Sequence, residues 1–245
     1  MTKFSAFPVC MQALIGVLGA FLFTVAGAAL VFFIKGENEK SRGALDGFSS
    51  GVMLSAAFFS LLLPALEVPT RIASAWAITP GFICGALLIW AADMFFSGKS
   101  QRSGGTKLLY ASVTLHNVPE GLAVGVAFSG GVLPGLMLAL SIGIQNFPEG
   151  FCLAYPLHKR GFTKKKSFLL SVLSGAIEIP FAVIGAAIFS SGGYMSFALA
   201  FAAGAMVAVT CTELIAEAFA RKNPFSLICF TFGFAFIMLL DLLFS

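Results

Sequence analysis

Eight stretches of the chain, at roughly residues 8–34, 46–67, 72–97, 107–129, 132–156, 167–191, 194–219 and 224–244, are each long and apolar enough to cross a bilayer as a helix. A helical span needs about 20 mostly apolar residues, because the hydrocarbon core is about 30 Å thick. Composition agrees: 58% of residues are hydrophobic and 11% charged, whereas soluble domains carry about 45–50% and about 25%. Such a chain cannot cover a water-facing surface. The expected fold is all-α, a polytopic membrane protein of eight transmembrane helices forming one domain over residues 1–245. The first apolar run is far longer than the roughly 7–15-residue core of a cleaved leader, so it reads as a retained helix.

The basic residues orient the bundle. Of the 15 Lys and Arg, all but Lys3 and Arg71 fall in loops on one side when eight helices are threaded in order. Cytoplasmic loops carry the excess of Lys and Arg, so both termini are expected outside, in a multi-pass protein of the cell (inner) membrane. The loop HKRGFTKKKS (158–167) reads as a topology signal resting on anionic lipid heads. The net charge of +4 therefore points to the lipid bilayer as partner and not to nucleic acid. The five cysteines, Cys10, Cys84, Cys152, Cys211 and Cys229, are odd in number and form no CxxC. They read as small buried hydrophobes instead of a disulfide or zinc framework. Asp46, Asp93 and Asp241 lie near span ends and are expected to reach water.

Two polar hexads interrupt the apolar pattern: HNVPEG at 116–121 in the fourth run and QNFPEG at 145–150 in the fifth. Ionisable residues at membrane depth are costly and point to function. Positions four apart share a helix face, which pairs His116 with Glu120 and Gln145 with Glu149; Asn117 and Asn146 are neighbours of the same glutamates at three. Pro119 and Pro148 each remove a backbone donor and are expected to kink their helices, freeing the carbonyls of Leu115 and Ile144. No Lys or Arg lies mid-span to neutralise the glutamates. One imidazole, two carboxylates and three amides suit a divalent metal of borderline hardness, such as zinc or ferrous iron; calcium and magnesium prefer more oxygen and no imidazole. Hydrogen bonds that merely glue helices together would leave two carboxylates repelling each other with nothing gained.

The paired hexads resemble the signature of the ZIP (Zrt-, Irt-like protein) family of divalent metal-ion transporters, most strongly over 110–156. GVMLSAAFFSLLLPALE (51–67), SGAIEIPFAV (174–183) and GAMVAVTCTELIAEA (204–218) more loosely resemble its bacterial GufA-like branch. The resemblance implies a binuclear-type metal site between helices 4 and 5, with His116, Asn117, Glu120, Gln145, Asn146 and Glu149 as ligands. It adds Glu178, in IEIP on the sixth run, and Met53, in GVML on the second. Gln145 stands where many members have His, and Asn146 where some have Asp. The resemblance further implies that helices 1–3 and 6–8 are inverted repeats, and that one bundle moves against the other.

The function expected is transport of divalent transition-metal cations, zinc foremost, with iron, manganese or cadmium also fitting the ligands, toward the cytoplasm. The metal is then substrate and not cofactor, and the chain is no enzyme. A metal-selective channel would use the same ligands around a continuous pore. An intramembrane metal-dependent hydrolase would want three protein ligands and an open water position; HExxH is absent, and His116 is the only histidine in a span. A homodimer is compatible with the sequence but not required by it.

Overall fold

The apolar runs fold as helices. The computed structural model describes residues 4–33, 39–67, 71–100, 105–190, 194–220 and 223–244, and among these there is no strand. They form eight consecutive rods. The first is α1 (Val9–Ala29, closing in a 3₁₀ turn Leu30–Phe32). Next is α2 (Glu39–Ala56, carried through a π turn Ala57–Leu62 into Leu63–Leu66). Single helices follow: α3 (Arg71–Ser100), α4 (Gly105–Gly130) and α5 (Val132–Lys159). Then comes α6, in two halves, Lys164–Gly175 and Glu178–Phe189. The last two are α7 (Met195–Val209, a π turn Thr210–Ile215, then Ala216–Ala220) and α8 (Pro224–Phe244).

Seven of the rods are long and apolar enough to cross a membrane among the described residues. The eighth, α4, carries His116, Asn117 and Glu120 along its middle. The largest difference from the expected boundaries is at α2, which begins at Glu39 instead of near 46. Asp46 consequently sits two turns inside a helix.

Small residues decide which rods touch. In α2, Gly43, Gly47 and Gly51 form a stripe four residues apart, and a Cβ on Gly47 or Gly51 would run into the backbone of Ser226 or Phe230 on α8. Gly81 and Gly85 on α3 meet α7 at Phe197 and Phe201; Gly121 and Gly125 on α4 meet α6 at Glu178 and Ala182; Gly27 on α1 meets Phe147 on α5. Lipid tails are as apolar as the side chains, so close backbone approach and dispersion drive association in a membrane. The glycine contacts join α2 to α8 and α3 to α7 on one side, and α1 to α5 and α4 to α6 on the other. Two bundles result, α1/α4/α5/α6 and α2/α3/α7/α8, in contact through α2 on α5 and α4 on α7. The apolar core, including Met53, Ala123, Val124 and Ile142, fills the space between them.

Candidate metal site

The two proline hexads do not break their helices: α4 continues through Pro119 and α5 through Pro148 as helix. A break does fall in α6. Ala176 and Ile177 form a turn, with Ile177 N–H donating to Ser174 O at 3.3 Å and Ile179 N–H to Ala176 O at 3.3 Å. The sequence SGAIEIP accounts for it. Pro180 has no N–H to offer Ala176, and at the third residue of a new helix that donor would be unpaired in any case. Glu178 therefore opens the second half of α6, in its first turn, where the positive end of the helix dipole favours a carboxylate.

Gly121 lets that carboxylate approach. A Cβ there would lie 2.8 Å from Glu178 Cα and collide with its carbonyl oxygen, so α4 and α6 meet backbone to backbone one residue after Glu120. Gly150, one residue after Glu149, does the same against Thr24 of α1. Each hexad thus ends in a glycine that seats its glutamate against a neighbouring rod.

Glu120 and Glu178 are both 0% exposed and Glu149 is 8% exposed. The three lie close enough to repel one another. Two amides moderate this: Asn146 Nδ2 donates to Glu178 Oε1 at 2.9 Å, and Gln145 Nε2 donates to Glu149 Oε2 through a short contact. Asn117 instead turns its amide nitrogen to α6, donating to Ser174 O at 3.2 Å and Ser174 Oγ at 3.3 Å as well as to Val113 O at 3.0 Å. Ser171 Oγ donates to Gly150 O at 2.8 Å, tying α6 to α5.

The polar atoms left over are of one kind. Among the described residues, both carboxylate oxygens of Glu120, Oε2 of Glu178, Oε1 of Gln145 and Oδ1 of Asn146 are buried with no hydrogen-bond partner. All five are acceptors. A buried polar group without a partner costs roughly 1–3 kcal/mol, more when charged, so five in one place need a donor or a cation. As they stand, no three His, Cys, Asp or Glu side chains among the described residues are close enough to hold a metal ion together. The amide oxygens of Gln145 and Asn146 belong to the same side chains whose nitrogens donate to Glu149 and Glu178.

Of the sequence-derived candidates, Glu120, Gln145, Asn146, Glu149 and Glu178 are brought to one buried locus, with Asn117 beside it. His116 belongs to α4 one turn before Glu120, but its side chain lies outside the described residues. Met53 is 1% exposed on α2, in the core between the bundles, on the face it shares with Asp46 and Ser49. Asp46 corrects the sequence expectation. It does not reach water at a span end but is 6% exposed and accepts from Cys152 Sγ at 3.1 Å. The longer α2 buries it against α5. Asp93's side chain lies outside the described residues, while Asp241 is partly exposed and accepts from Ser60 Oγ at 3.4 Å. The expectation that the cysteines are buried also fails: Cys84 and Cys211 are exposed, and Cys10, Cys152 and Cys229 are only half-buried. A sequence signal for the Asp46 face existed in the spacing Asp46, Ser49 and Met53 at i, i+3 and i+7, the period of one helix face.

A membrane-embedded helical bundle with converging carboxylates and amides is the architecture of an ion-translocating protein. The family model for ZIP zinc transporters matches residues 97–241. The chain is 33% identical to zinc transporter ZIPB of Bordetella bronchiseptica, over 94% of this chain and 80% of that protein. It is 32% identical to zinc transporter GufA of Myxococcus xanthus, over 89% and 93%. A putative zinc transporter of Arabidopsis thaliana is 31% identical over 83% of this chain, which spans only 35% of that longer protein. The chain belongs to the ZIP zinc transporter family.

Proposed function

We propose that this chain is a carrier that moves divalent transition-metal cations, zinc foremost, across the cell (inner) membrane toward the cytoplasm. The observation that carries this reading is the set of five unpartnered buried acceptor oxygens on Glu120, Gln145, Asn146 and Glu178. Relatives described as zinc transporters supply the substrate class. All eight rods span the membrane as one domain, with α4 tolerated there because its polar face turns inward: Asn117 and Glu120 are buried. Both termini lie outside, as the basic loops require.

A divalent cation entering between the bundles replaces the amide N–H groups now facing the carboxylates. Gln145 and Asn146 then turn their carbonyl oxygens to it, and Glu120, Glu149 and Glu178 supply charge. His116, Asn117 and Met53 complete two adjoining sites, with the carbonyls of Leu115 and Ile144, unpaired by the prolines, as further oxygens. Movement follows from where the tight contacts lie. The glycine contacts join rods within each bundle, so each can move as a unit, and α1/α4/α5/α6 slides against α2/α3/α7/α8 with its glutamates aboard. The π turns of α2 and α7 fall in the second rod of each triplet, as an inverted-repeat relation would have it, and π turns are frequent at functional sites.

The test is zinc uptake into liposomes holding purified protein, wild type beside Glu149→Ala. Uptake that saturates with zinc and is lost in the variant is expected. Equal uptake by a folded Glu149→Ala protein overturns the site, and flux that does not saturate replaces the carrier by a channel. Metal-dependent hydrolysis without uptake would restore the enzyme reading.

A further inference from the structure

Three residues past Glu149, α5 presents Cys152 on the same face, nearer the basic-loop end of the bundle. Its thiol donates to Asp46 Oδ1 at 3.1 Å. Asp46 belongs to α2, in the opposite bundle, and is 6% exposed. One turn further along α2, Ser49 is 3% exposed, and its Oγ has no hydrogen-bond partner among the described residues. Asp46, Ser49, Glu149 and Cys152 line one cavity of about 40 Å³, together with Val113, Leu153 and Leu214. A single water needs about 10–15 Å³ on this measure, so the space holds a small cation and its water. Four polar side chains, from both bundles, thus line one small cavity, and one of them is Glu149.

We propose that Asp46 and Cys152, with Ser49 Oγ and water, form a second transition-metal station that receives the cation from Glu149 on the cytoplasmic side. This rests on the transport reading above. A thiolate beside a carboxylate favours zinc or cadmium over magnesium or calcium. Binding forms a sulfur–metal bond; the thiol proton leaves to water, sulfur keeps its electron pair, and nothing is oxidised or reduced. Three protein ligands, one of them a neutral hydroxyl, fall short of the four of a structural zinc site, so the ion exchanges quickly, as transit demands. The ligands sit on different bundles, so the station is intact only when α2 and α5 stand in this register. Glu149 links the two stations: it lies with the buried carboxylates and also lines the cavity.

The test is a titration of the purified full chain with cadmium alone, following the ultraviolet charge-transfer band of cadmium bound to thiolate. A variant with Cys10, Cys84, Cys211 and Cys229 changed to Ser isolates Cys152. The band is expected in that variant, is lost on adding Cys152→Ser, and needs at least about tenfold more cadmium with Asp46→Asn. Where the four-serine variant does not fold, the wild-type spectrum minus that of Cys152→Ser gives the same reading. No band in the folded variant overturns the proposal, as does a band that Asp46→Asn leaves at the same cadmium concentration. Zinc uptake is measured alongside. Intact uptake without the band removes the station alone, and a band without uptake by wild type removes the transport reading alone.

Discussion

Gly121→Ala is a one-carbon change whose cost can be worked from the backbone. The added Cβ would stand 2.8 Å from Glu178 Cα and 2.9 Å from Glu178 C, besides striking the carbonyl oxygen. Ordinary contact for a Cβ begins near 3.4 Å. The atoms in the way are backbone, so no rotamer relieves them, and α6 must withdraw from α4 by about 0.6 Å or more, the shortfall from such contact. Overpacking of this kind costs about 1–3 kcal/mol. The same withdrawal carries Glu178 away from Asn146 and Glu120. Sites of this kind tolerate about 0.5 Å, and a misplacement of about 1 Å can cost about a hundredfold in rate. The expected result is a lower thermal midpoint together with at least about tenfold slower zinc uptake. Gly19→Ala is the control, since a Cβ there meets nothing within 4 Å, and in a helix it is neutral or stabilising by up to about 1 kcal/mol. Both readouts are taken on detergent-purified protein and on liposomes made from it. If Gly121→Ala matched both wild type and Gly19→Ala in midpoint and uptake, the claim that glycine seats Glu178 would be refuted.

Other substitutions separate structure from transport. Ser171→Ala removes the hydroxyl that donates to Gly150 O at 2.8 Å, from a residue that is not itself a proposed ligand; it should cost about 1 kcal/mol in a thermal melt and leave the zinc concentration for half-maximal uptake unchanged. Gln145→His exchanges a neutral amide for an imidazole, a stronger zinc ligand. Zinc should bind more tightly by calorimetry while maximal uptake falls, because release from the tighter site becomes slow. Faster maximal uptake in that variant would argue that release is not limiting.

The sequence carried the rods well, because a run of about 20 apolar residues admits few alternatives. It also drew attention to the two glutamates of the hexads, since charged residues in apolar runs have few bland uses, and both are buried. It did not reveal other irregular points: the helix break at Ala176–Ile177 and the π turns in α2 and α7. A proline states which donor is missing but not how neighbouring rods compensate. The partners of the amides were also beyond reach: Asn146 to Glu178 spans 32 residues, and helical spacing reports only neighbours on the same rod. Asp46 was misread for a related reason. Hydropathy placed the start of α2 at the first strongly apolar residues, whereas the stripe Gly43, Gly47 and Gly51, already visible as small residues four apart, packs the preceding two turns onto α8.

Glu120→Gln tests the central claim most directly, that buried carboxylates here exist to hold a cation. Neither oxygen of Glu120 has a hydrogen-bond partner among the described residues, and the side chain is fully buried. Gln keeps the shape and removes the ionisable group, which is costly to bury unpaired. The measurement is the thermal midpoint of wild type and Glu120→Gln, each with and without zinc, beside zinc uptake in liposomes. Without zinc, the variant should melt at or above wild type. With zinc, wild type should rise by the amount that binding to the folded state contributes, while the variant stays where it was and takes up no zinc. A Glu120→Gln protein that is less stable without metal, and still gains stability from zinc and transports it, would contradict the account.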